Sequence, residues 1–131
     1  MQIRWCVRLA SVQIYAHCTA AAESAAVAKG SVTVLAINLG NTSTMLHFGA
    51  AAAGGVRQYL LSANTGAGSS LTNATGMLGT GILLNGVGLK LGPGGELPPM
   101  VPAPAPASAS PSLPARALAF YVLPGAGHPS C

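Results

Sequence analysis

Residues Ser31 to Ser43, reading SVTVLAINLGNTS, constrain the fold more than any other stretch of the chain. β-Branched residues crowd its first half, and apolar side chains fall at odd and even positions alike from Val32 to Leu39, the pattern of a strand buried on both faces. Such a strand belongs near the middle of a sheet. Gly40 and Asn41 follow. Both tolerate positive φ, so they predict a turn into a second apolar run, Thr44 to Phe48, and with it a central hairpin.

The remaining segments fit around that strand. Val12, Ile14 and Ala16 alternate with Gln13, Tyr15 and His17, which predicts a half-buried strand. Val56 to Ser62 (VRQYLLS) and Ala117 to Leu123 (ALAFYVL) read as two more. Gly81 to Leu91, GILLNGVGLKL, sets two apolar arms about Asn85 and Gly86, the strongest local signal for a hairpin. Thr19 to Lys29 is rich in alanine but short and without an apolar face, so it reads as a loop. Gly49 to Gly55 reads as a glycine and alanine linker, and Ala63 to Gly79 as a long surface loop. Pro98 to Pro114 holds seven prolines, which rules out a central strand and predicts an extended, low-complexity connector. With seven or eight short strands and no helix, 131 residues predict one all-β domain, an antiparallel β-sandwich.

Charge narrows the possible functions. Only 6% of residues are charged, two acids against six bases, for a net +4. Arg4, Arg8, Lys29, Arg57, Lys90 and Arg116 stand singly, so the basic stripe that nucleic acid requires is missing. Mean hydropathy is +0.52, yet no run reaches the roughly 18 to 20 apolar residues of a transmembrane helix. Arg4 and Arg8 interrupt the apolar core that a signal peptide would need. A chain that starts directly ahead of a strand, without a leader, is expected to be the remainder of something longer.

The side chains offer little catalysis. Glu23 and Glu96 are the two acids, one in an alanine-rich loop and the other in a Gly-Pro segment, so no pair of carboxylates is presented from strand ends. No Gly-x-Ser-x-Gly elbow occurs, and Gly76 to Gly81 (GMLGTG) lacks the Lys-Ser/Thr ending of a phosphate loop. His17, His47 and His128 have no acid or thiol at ligand spacing, so no metal site and no cofactor are expected. Of the three cysteines, Cys6, Cys18 and Cys131, at least one must stay unpaired within the chain. A bridge from Cys18 to Cys131 would close nearly the whole domain, worth about 4–5 kcal/mol by loop entropy. Three reduced thiols are the alternative, and spacing alone leaves both open. Asn41-Thr42-Ser43 and Asn73-Ala74-Thr75 fit the N-glycosylation pattern in segments read as turn or loop.

Six motifs, in order, resemble one family. IYAHCT (Ile14 to Thr19), VTVLAINLGNTS (Val32 to Ser43), QYLL (Gln58 to Leu61), LLNGVGLKL (Leu83 to Leu91), ELPP (Glu96 to Pro99) and LAFYVLP (Leu118 to Pro124), with the final Cys131, are similar to the carboxyl end of heparanase and the plant heparanase-like glycoside hydrolases. The likeness runs from Leu9 to Cys131 and makes residues 1–8 a remnant of a preceding segment. It implies an eight-stranded β-sandwich that packs beside a catalytic (β/α)8 barrel, and that draws one strand from ahead of the barrel. A chain lacking that strand would leave a sheet edge open. The family cleaves glucuronide linkages with retention, using two barrel glutamates that lie before the matched region, so no catalytic residue carries over. Cys18 and Cys131 match the cysteines that pair in the family, and Asn41 matches a glycosylation acceptor. Cys6 would be the leftover thiol.

The resemblance therefore implies a non-catalytic, disulfide-bonded and glycosylated sandwich. Its partner would be the barrel, and its location extracellular or lysosomal/vacuolar. The alternative is an independent carbohydrate- or proteoglycan-binding module, which needs exposed aromatic residues and clustered bases. Trp5, Tyr15, Tyr59 and Tyr121 are the candidates, and three of them lie in apolar strands where packing is the simpler role.

Overall fold

Val32 to Asn38 is extended, as its β-branched composition requires, and the rest of the chain assembles on both sides of it. The computed structural model describes residues 5–9, 11–19, 28–64, 81–105 and 110–131, the first of these segments by its backbone. The strands are β1 (Trp5–Leu9), β2 (Val12–Cys18), β3 (Val32–Asn38), β4 (Thr44–Met45), β5 (Val56–Ala63), β6 (Ile82–Leu84), β7 (Val87–Gly88), β8 (Ala103–Ala105), β9 (Ser112–Leu113) and β10 (Leu118–Leu123). The large sheet runs β1-β2-β3-β10-β5-β6-β7, with β8 also on β5, and every pairing is antiparallel. A small β4–β9 sheet and a 3₁₀ turn at Gly49–Ala52 supply a second layer. The chain is all-β and sandwich-like. No helix among the described residues is long and apolar enough to cross a membrane.

The core lies between these layers. Val34 and Ala36 of β3 and Ala119, Tyr121 and Leu123 of β10 share one sheet face and are buried, with Leu46, Ala52 and Leu113 of the second layer in the same cluster. Phe48 meets Tyr121 with ring centroids 5.1 Å apart and planes tilted by 54°. Alanines at positions 36, 52 and 119, each 1% exposed or less, let the layers approach closely. On the opposite face of β3 Thr33 is buried but Leu35 and Ile37 are only half-buried, so the strand is central in its sheet but covered fully on one side, not on both as its sequence predicts.

Three further sequence expectations need correction. β3 does not form a hairpin with the run that follows. It pairs with β2 and β10, neither Gly40 nor Asn41 has positive φ, and only Thr44–Met45 of the expected Thr44 to Phe48 strand forms a ladder, with β9. The cause is Asn38, which is 1% exposed. Its Nδ2 donates to the carbonyls of Thr42 (2.8 Å), Leu113 (3.2 Å) and Pro114 (3.0 Å), and its Oδ1 accepts from the Gly40 N–H (2.9 Å), steering the chain into the second layer.

Gly49 to Gly55 is no mere linker, since it makes the 3₁₀ turn and places Ala52 in the core. Gly54 is required there, because a Cβ would stand 2.7 Å from the Gly125 backbone nitrogen. The proline-rich connector, finally, contributes two strands. β8 lines up beside Val56–Gln58 on an edge, where Pro104 leaves no central ladder short of a donor, and β9 carries the fully buried Leu113.

The expected Asn85-Gly86 hairpin and Cys18–Cys131 bridge are met, whereas the expected loops Thr19 to Lys29 and Ala63 to Gly79 lie largely outside the described residues. Asn85 (φ 50°) and Gly86 (φ 84°) form the turn of the β6–β7 hairpin, with Leu84 opposite Val87. The Asn85 side chain also accepts from Leu60 N–H (2.9 Å) and donates to the carbonyls of Gln58 (3.1 Å) and Val101 (3.0 Å), fixing the hairpin to β5. Cys18 and Cys131 are disulfide-bonded, with S–S 2.14 Å and Cα–Cα 5.1 Å, which is the pair the resemblance implied.

Candidate interaction face

Among the described residues, the face of the large sheet turned away from the core carries exposed aromatic and aliphatic side chains. Cross-strand register puts Tyr15, Leu35, Phe120 and Tyr59 in one row over β2, β3, β10 and β5. The next row holds Gln13, Ile37, Leu118 and Leu61. Neighbours in such rows lie within side-chain reach, so apart from Gln13 the two rows make one largely apolar surface. Tyr15 is 37% exposed and Phe120 36%, although both sit where a covered sheet would bury them. Tyr15 spends its hydroxyl locally, donating to Gln13 Oε1 at 2.9 Å. In a third row, with His17, Thr33, Val122 and Arg57, His17 and Arg57 bring polarity to the edge of the patch, while Thr33 is buried.

At the other end of these rows the surface deepens into a cleft of about 640 Å³, walled by Ile37, Leu61 and Leu118 and rimmed by Leu39, Ile82 and Met100. Arg116 is its one charged lining residue among those described. Arg116 itself has φ 53°, uncommon for a side chain of its size. Its Nε and Nη2 donate to Asn41 Oδ1 at 3.2 and 2.8 Å. Asn41, Thr42 and Ser43 are all exposed, so this sequon is accessible, whereas Asn73 lies outside the described residues.

The polar residues singled out in the sequence do not converge. Glu96 accepts from the Gly94 N–H (3.0 Å) in its own turn, and Glu23 lies outside the described residues. His17 Nδ1 donates to the adjacent Cys18 carbonyl (2.9 Å), and His128 Nδ1 accepts from the Ser130 N–H (3.3 Å). Ser110 and His47 are hydrogen-bonded at 2.6 Å beside the β4–β9 ladder, but no carboxylate among the described residues orients that imidazole. The described residues hold no group of three potential metal ligands.

Tyr121 is fully buried in the core, and burial pushes its phenol up to about 12, with no hydrogen-bond partner for the hydroxyl among the described residues. Tyr15 and Tyr59 instead belong to the outer face. Sequence reasoning missed that face because apolar alternation does not say which of two faces a second layer covers. It missed the cleft because Met100, Leu39 and Arg116 are far apart in the chain.

Compared with known proteins, the sequence matches no family model and no curated protein.

Proposed function

We propose that this chain is the non-catalytic C-terminal β-sandwich of a heparanase-like glycoside hydrolase, and that its outer sheet face buttresses a catalytic (β/α)8 barrel. The observation that carries the reading is the row Tyr15, Leu35, Phe120 and Tyr59, a broad apolar surface with no covering layer among the described residues. Exposed patches of this kind mark interaction sites, and a neighbouring domain rich in apolar surface is the natural cover. The six motifs in family order support the same reading, as does the Cys18–Cys131 bridge. The bridge also fits an extracellular or lysosomal/vacuolar location, where disulfides persist. Asn41 would carry a glycan there. Its Oδ1 is held by Arg116, leaving the amide nitrogen free to bond the sugar.

On this reading the isolated chain turns over no glucuronide, because Glu96 caps its own turn and has no partner carboxylate among the described residues. The deciding experiment is to sequence the transcript upstream of Met1. A frame that continues into a barrel with two glutamates supports the proposal, and an in-frame stop directly ahead of Met1 overturns it. The proteoglycan-binding alternative has one observation in its favour, the aromatic row itself, on which a sugar could stack. Retention on heparin resin that is lost at Phe120→Ala, with no affinity for a barrel, would favour it.

A further inference from the structure

We propose that the cleft beside Arg116 binds an apolar monocarboxylate, a medium-chain fatty acid being the simplest member of the class. The inference needs only this chain, but Ile37, Leu61 and Leu118 also form the second row of the outer face, so it applies to the chain with that end of the face uncovered. Ile37, Leu61 and Leu118 wall the cleft, and Leu39, Ile82 and Met100 stand around it 61%, 51% and 53% exposed. Three large apolar side chains from separate elements, all open to water around one hollow, leave an apolar surface that an apolar body would cover. Its volume, about 640 Å³, is that of a small-molecule site rather than a packing defect.

The polar lining selects the other end of the ligand. Asn38 is already committed to three carbonyls and one N–H, so its amide is not offered to a guest. Arg116 is different. Asn41 Oδ1 holds the guanidinium by Nε and Nη2, and no carboxylate pairs with Arg116 among the described residues. The fork retains N–H groups to donate to one anion. A neutral lipid would leave that cation without a counter-charge, and a sugar would leave the apolar walls uncovered. A single carboxylate on an apolar chain satisfies both.

The test is displacement of dansyl-undecanoic acid from the full chain by decanoate or decanol, below the micellar range. Decanoate displaces the probe at least tenfold more effectively than decanol. Arg116→Asn, which tolerates the positive φ but removes the charge, abolishes that preference. Ile82→Asp, on the exposed rim, weakens both ligands at least tenfold. Equal displacement by decanoate and decanol on the unaltered protein, or no displacement by either, overturns the proposal, as does an Arg116→Asn variant that binds decanoate as the parent does. The wild-type comparison decides even where a variant fails to fold.

Discussion

Asn38 shows how one buried side chain sets a local path. Three backbone carbonyls surround its Nδ2 and one N–H faces its Oδ1, so both ends of the amide are used and its orientation is fixed. Asn38→Ala strands those groups in the core and is expected to cost about 2–4 kcal/mol in urea unfolding. Asn38→Asp should cost at least as much at neutral pH, because a carboxylate would face the same carbonyl oxygens. Tyr121 is the opposite case, a fully buried hydroxyl without a partner among the described residues. Its phenol ionises near pH 10 in the unfolded chain and at about 12 in the fold. Over that window the unfolded state loses its proton first, so stability is whole below pH 10 and falls as pH rises, by at most about 1.4 kcal/mol per unit. Tyr121→Phe should remove this part of the alkaline loss and raise stability at pH 7 by about 1 kcal/mol, read as the difference between variant and parent unfolding curves.

At the scale of elements, the disulfide spans 113 residues and ties the carboxyl terminus to β2. Replacing Cys18 and Cys131 together by serine is expected to remove about 4–5 kcal/mol, seen as a lower urea midpoint, and reduction of the parent should reproduce it. The main elements were legible in the sequence. Val12–Cys18, Val32–Asn38, Val56–Ala63 and Leu118–Leu123 carry β-branched and aromatic residues dense enough to declare themselves, and Asn85-Gly86 specifies its own turn. What the sequence hid was long-range. The Gly40-Asn41 turn looked like a hairpin because local chemistry permits one, but Asn38 bonds to Leu113 and Pro114, some seventy-five positions away, and those bonds prevail. The short β8 and β9 were masked by prolines that an edge tolerates and a centre does not.

Among the described residues the fold is a sheet with one face covered by β4, β9 and the 3₁₀ turn and the other apolar and uncovered. The half-buried residues of that outer face, Leu35, Ile37 and Tyr59 beside the more exposed Phe120, are expected to be an interface rather than a core. Anchors near the centre of such a patch dominate binding, and Phe120 is flanked by Leu35 and Tyr59 in its row. The most direct measurement mixes this chain with the catalytic barrel of a plant heparanase-like enzyme expressed without its own sandwich, and reads the mass of the product by light scattering. The account predicts a one-to-one complex that Phe120→Glu weakens at least tenfold, about 1.4 kcal/mol, while the variant keeps the parent's fold. No complex, or one that Phe120→Glu leaves intact, would contradict it.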